Sequence, residues 1–164
     1  MADVISQQEL YLNAFNWEPQ YTNRFIMYIA DIPSYIVKAA QAPNMTNGQI
    51  VTDHINVDRK LKGKSRWNDI SLTLYNPIVP SGAQSVMEWI RLHHESTTGV
   101  NGYSSDYKKD IRLNPLSGPG EIIGEWVIKG SYILDSNFGQ YDWATEDAVM
   151  IELTISYDWA LHSF

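Results

Sequence analysis

The 164-residue chain contains no cysteine. That excludes a disulfide scaffold, thiolate zinc sites and a cysteine nucleophile. No apolar run approaches the ~20 residues that a membrane-spanning helix needs. Cations are scarce in one region only. Residues 1–112 hold eleven cations and eleven acids, whereas residues 113–164 hold Lys129 alone against eight acids, which is the whole of the net −7. The opening Met1-Ala2-Asp3-Val4 carries an acid in place of a basic leader, so the expectation is a soluble chain made in a cytoplasm. With 44% hydrophobic and 19% charged residues, neither a disordered chain nor a coiled coil is favoured. The length suits one domain, 1–164.

Catalytic signatures are equally scarce. His93 and His94 are adjacent in a helical stretch and diverge, so they cannot chelate one ion. Asp53 and His54 alternate on a strand and point to opposite faces. Gly118-Pro119-Gly120 lacks the third glycine of a dinucleotide loop. Gly63-Lys64-Ser65 has the ending of a phosphate loop, but Asp58 stands where its first glycine belongs. No catalytic, cofactor-binding or metal-ligating set is expected, and the chain reads as a non-enzyme.

What is present is strand-forming sequence. Phe25–Ile29 and Tyr35–Ala40 read as two strands around Pro33. Residues 50–75 predict a long extended hairpin that returns through Trp67–Tyr75. Its turn is placed at Lys62-Gly63-Lys64-Ser65, and Val51, Ile55 and Val57 are assigned to one face. Ile70, Leu72 and Leu74 alternate with polar residues. So do Ile151, Leu153, Ile155 and Tyr157 within a strand over 148–159. Two further strands are expected, over 107–113 and over 122–134 with Ile122, Trp126 and Ile128 on one parity. A single helix is predicted over 81–97, opened by a Ser81 cap and closed by Gly99. Val86, Trp89, Ile90 and His93 form its apolar stripe. Residues 1–22 form an N-terminal arm in which a short helix is possible. The expected fold is mainly β: a barrel or sandwich of about seven strands with one flanking α-helix.

Arg59, Lys60, Lys62, Lys64 and Arg66 crowd into eight residues, at the tip of the predicted hairpin. A basic cluster in a chain with an acidic last third points to a polyanion or to a second copy of the chain. Six tryptophans and ten tyrosines are compatible with an aromatic core and with subunit interfaces. The same cations beside Trp67 also permit a nucleic-acid grip.

Several segments, in order, resemble the tail tube proteins of contractile-tailed, T-even-like bacteriophages. They are Phe25-Ile26-Met27-Tyr28-Ile29, Trp67–Leu74, Tyr107-Lys108-Lys109-Asp110, Ile128-Lys129-Gly130-Ser131-Tyr132 with Asp142-Trp143, and Val149–Trp159. The resemblance implies a structural virion protein, assembled in the host bacterial cytoplasm, whose hexameric rings stack into the inner tail tube. Its partners would be itself, the tail sheath protein and baseplate tube-initiator proteins. Phage DNA would pass through the lumen without specific binding. Separately, the chain's excess of acids points to a net negative bore that would serve that passage. It also implies that the hairpin reaches the next ring, making Arg59, Lys60, Lys62, Lys64 and Arg66 inter-ring residues. The alternatives are the tube of a related injection or secretion system, and a nucleic-acid-binding β-domain.

Overall fold

The computed structural model describes residues 19–164. Most of the expected N-terminal arm, with its possible helix, lies outside the described residues.

Nine strands and one substantial helix follow in chain order. The strands are β1 (Phe25–Ile29), β2 (Val37–Ala40), β3 (Asn44–His54), β4 (Val57–Asn68), β5 (Ile70–Tyr75), β6 (Lys109–Pro115), β7 (Glu125–Asn137), β8 (Met150–Ser156) and β9 (Trp159–Ser163). Helix α1 (Gly82–His93) joins β5 to β6, and a single turn, α2 (Ser104–Tyr107), precedes β6. Every pairing is antiparallel. Seven strands are hydrogen-bonded in the order β1-β6-β7-β8-β5-β2, with β9 also on β7, and β3 pairs only with β4.

The 13-residue strand β7 belongs to two layers. Its first half lies between β6 and β9, and its second half pairs with β8. Side chains from both layers and from α1 fill one core, including Met27, Leu72, Ile111, Ile128, Leu153 and Trp89. The alternations expected in β5 and β8 hold: Ile70, Leu72 and Leu74, and Ile151, Leu153 and Ile155, are all buried. The single parity expected along β7 does not hold. Ile128 and Ile133 are both buried, while Ile122 is exposed. Between them the register with β6 shifts, and Gly130 sits at φ 67°. A bulge there reverses which residues face inward.

Three of the segments singled out in the sequence meet at this bulge. A Cβ on Gly130 would lie 2.2 Å from Asp158 Oδ2, so the carboxylate occupies the space that any other residue would fill. Lys108 Nζ donates to both Asp158 oxygens at 2.8 Å. That hydrogen bond raises the Lys108 ammonium above its ordinary pKa. The Asp158 amide donates to the Lys129 carbonyl, and Lys129 itself pairs with Asp110. Lys109 reaches Asp31 and lies 5.3 Å from the Trp89 ring centre. Trp89 Nε1 donates to the Tyr107 carbonyl at 2.8 Å, which ties the helix to the same corner.

Helix α1 is shorter than the predicted 81–97. Ser81 caps it as expected, accepting from the Gln84 amide. It stops at His93 because the chain doubles back. His94 is extended, its Nδ1 is 2.9 Å from Asn101 Oδ1, and the Gly102 amide donates to the His93 carbonyl. Gly99 lies within that return and does not end the helix. Val86 and Trp89 are buried, and Ile90 and His93 are partly buried, so the predicted stripe faces the core.

Other boundaries also move. The strand expected over 107–113 begins only at Lys109, because Ser104–Tyr107 is helical. The last expected strand is two: after β8 the chain turns at Tyr157-Asp158 and returns as β9 along β7.

Candidate assembly interface

The largest departure from the sequence reading lies in the hairpin. Its strands are β3 and β4, residues 44–68, and its turn is Ile55-Asn56. The predicted hairpin over 50–75 with a turn at 62–65 is therefore displaced. Residues 62–65 lie within β4, and Ile70–Tyr75 is a separate strand that joins β2 and β8. The two glycines explain why a turn is misread there. Gly48 and Gly63 face each other across the ladder at a register shift, where a Cβ on Gly63 would come within 2.8 Å of the Gly48 carbonyl carbon. They permit a bulge with close backbone approach and not a reversal. The true turn uses Ile55 at φ 39°, a conformation that a β-branched residue seldom takes and that residue type alone does not announce.

The root of the hairpin is tied down by a polar ladder. Ser65 Oγ donates to Asn47 Oδ1 at 2.6 Å, and Asn68 Nδ2 donates to Asn44 Oδ1 and Thr46 Oγ1. Tyr157 Oη donates to the Asn44 carbonyl at 3.4 Å, and its ring lies 6.0 Å from that of Trp67. Burial raises the Tyr157 phenol above its ordinary pKa. Beyond this root almost every side chain of β3 and β4 is exposed, including Ile50, Val51, Val57 and Leu61. Eleven residues of extended chain reach about 35 Å. A two-stranded ribbon of that kind is marginal in water by itself.

The basic residues lie along the shaft of the hairpin and not at its tip. The register separates them between two faces. Arg59 pairs across from Thr52, next to the Ile50–Leu61 pair. Lys60 and Lys62 stand opposite Val51 and Gln49 on the other face. Val51 and Val57, expected on one face, fall on opposite faces for the same reason. Lys64 and Arg66 line a shallow hollow of about 450 Å³ over Gly48 and Gly63, with Thr46 and Ile50. Thus the structure brings Lys64 and Arg66 together and keeps Lys60 and Lys62 apart from them. Among the described residues none of the five forms an ion pair; the four pairs found all involve Lys108, Lys109, Arg112 and Lys129.

A second kind of assembly surface had no local signal in the sequence. In the seven-stranded sheet, β1, β2 and β9 each pair on one side only among the described strands, which leaves a row of backbone donors and acceptors unpaired on each. Unpaired edges are templates for adding a strand from another chain. Asp142-Trp143, part of the sequence resemblance, lies apart from the Gly130 corner in the β7–β8 connection, where the Trp143 side chain is fully exposed. Among the described residues no three His, Asp or Glu side chains gather closely enough to hold a metal ion, and no helix is long and apolar enough to cross a membrane.

No family model matches the sequence, and no curated protein matches it. The fold, in contrast, matches solved structures over nearly its whole length. A chain of an extracellular contractile injection system, in its sheath–tube complex in the extended state, superposes with a TM-score of 0.71 at 18% identity, covering 97% of this chain and 98% of that one. A chain of the anti-feeding prophage cap, the tube-terminating cap, gives 0.72 at 18% identity over 90% and 92%. Hcp1 from Flavobacterium johnsoniae gives 0.54 at 13% identity over 85% and 94%. The short segments thus sit in a fold that this chain shares with these chains.

Proposed function

We propose that this chain, which carries the fold found in contractile-injection tube and cap proteins, is a structural tube subunit. Copies join through the open edges of β1, β2 and β9 into rings of six, and the rings stack into a hollow tube within a contractile sheath. The hairpin extends from one ring to the next, and Arg59, Lys60, Lys62, Lys64 and Arg66 meet acids of the neighbouring copy. The tube grows from baseplate initiator proteins. The whole 164-residue chain acts as one domain in this role.

The observation that carries this reading is the hairpin: a ribbon about 35 Å long, apolar and basic by turns, packed on nothing beyond its root among the described residues. A fold shared end to end with a chain of a sheath–tube complex supports the reading. The cargo has two readings. A phage tail would conduct DNA without binding it, whereas an injection system would deliver protein. The second is favoured by the neighbour that belongs to an extracellular contractile injection system.

A nucleic-acid grip fits the geometry less well. The cations are split between two faces of a thin ribbon, and Trp67 leans on Tyr157 where a base would have to stack.

Negative-stain electron microscopy of the concentrated protein at low and high salt tests the proposal. Hollow tubes or stacked rings that shorten as salt rises are the expected result. Compact monomers throughout, together with salt-sensitive binding of DNA by the free chain, would transfer the role to nucleic-acid binding.

A further inference from the structure

The far end of the hairpin differs in chemistry from its basic shaft. Ile55 is fully exposed at the turn, and Val57 beside it is 69% exposed. Asp53 and Asp58 stand directly opposite each other across the ladder. Like charges so placed repel, and among the described residues neither carboxylate has an ion-pair partner. The tip is thus an aliphatic knob with two unneutralised acids behind it.

A complementary feature lies on the body. Where β2 runs out into the hairpin, a groove of about 250 Å³ opens between the two layers, lined by Tyr21, Arg24, Phe25, Ala42, Leu113 and Trp126 among others. Its walls are mostly apolar and its cation is Arg24. The Arg24 guanidinium lies 5.2 Å from the Tyr21 ring centre and forms no ion pair among the described residues. The groove and the tip lie at opposite ends of the same hairpin, so a chain's own tip cannot enter its own groove.

Length makes a second copy the fitting occupant. Apart from the 13-residue β7, which passes through both layers, the body strands have four to seven residues, or at most about 24 Å, against about 35 Å for the hairpin. A copy stacked in the same orientation would be spanned from one end to the other. The tip would then arrive at the end from which that copy's own hairpin leaves, which is where the groove opens. We infer that Ile55 of one copy seats in the groove of the next, with Asp53 and Asp58 facing Arg24. The inference rests on the tube reading of the hairpin and adds to it the receptor on the neighbouring body.

The lack of cysteine allows a clean test. Full-length Ile55→Cys and Ala42→Cys variants are purified separately, mixed, and oxidised under conditions in which the parent chain forms tubes. A disulfide requires the two Cα atoms to approach within about 7 Å. The 55–42 heterodimer is expected to exceed, by roughly tenfold, the product from Ile55→Cys mixed with Trp143→Cys, a control at another fully exposed side chain. Arg24→Glu is expected to raise the concentration needed for tubes by about tenfold, and Asp53→Arg with Asp58→Arg in the same chain to restore it. Tubes that form normally, with no excess of 55–42 over 55–143 product, would overturn the groove assignment and leave the tube reading intact. Neither tubes nor cross-linked product at any concentration would overturn both.

Discussion

The Gly130 corner and the β3–β4 hairpin use the same residue types for opposite ends. At the corner, Lys108 is held by Asp158, Lys109 by Asp31 and Lys129 by Asp110. Along the hairpin, five cations within eight residues find no acid among the described residues of their own chain. The corner is complete within one molecule. Its charges fix the point where β7 passes from one layer to the other. The hairpin is incomplete in one molecule, with exposed aliphatic side chains and unpaired cations alternating along a ribbon too slight to be stable alone. Local pairing therefore separates charges that build the subunit from charges with no partner among the described residues, which the proposed function assigns to contacts between copies.

The sharpest way to break this contrast is Gly130→Val. The residue needs positive φ and would place its Cβ on the Asp158 carboxylate. The expected loss is about 3 kcal/mol or more in urea unfolding, with assembly failing because the subunit itself is damaged. An unchanged urea midpoint would mean that the corner does not set the path of β7. Lys62→Glu with Lys64→Glu probes the other side. The unfolding midpoint should move by no more than about 0.5 kcal/mol, since both residues are exposed and unpaired, while tubes become shorter and rings persist. Unchanged tube length would remove these cations from the inter-ring contact.

The smallest effect concerns His93, which packs edge-on against Tyr107 at 5.8 Å between ring centres. Burial, and then the neighbouring His94, lowers its pKa below the ordinary 6.5. Between the folded and unfolded values the unfolded chain binds more protons, so stability falls as pH drops through about 6.5. His93→Gln should lose less stability than the parent between pH 8 and pH 5. Thermal unfolding at the two pH values measures this, and equal losses would show that His93 plays no part.

Much of the corner is legible without coordinates, because its parts are short and strongly patterned. The segments 107–110, 128–132 and 157–159 stand out separately in the chain, and the structure shows that they touch. Ile70–Leu74 and Ile151–Ile155 alternate so regularly that period alone assigns their inward faces, and both are buried as assigned. The hairpin is visible in the sequence but displaced there by one strand. Gly63 beside lysine and serine has turn chemistry, yet it lies against another glycine, Gly48, at a register shift, and no local signal shows that approach. Ile55-Asn56 has little turn chemistry, yet the chain reverses there. Asp142-Trp143 belongs with the corner by resemblance and stands apart from it in space.

The class of the fold, the inward faces of the central strands, the helix and its cap, and the concentration of cations in one short segment all follow from local sequence. These are matters of period, composition and neighbours within a few residues, which any short stretch of the chain carries. Long-range packing alone settles where the hairpin turns, how its cations divide between two faces, how β7 changes layers, and that a groove lined by Arg24 opens at the hairpin's root. Each of these depends on register between distant segments. A shift of one residue there exchanges the two faces of a strand, and the cost or gain of that shift is set by partners that no short stretch of sequence contains.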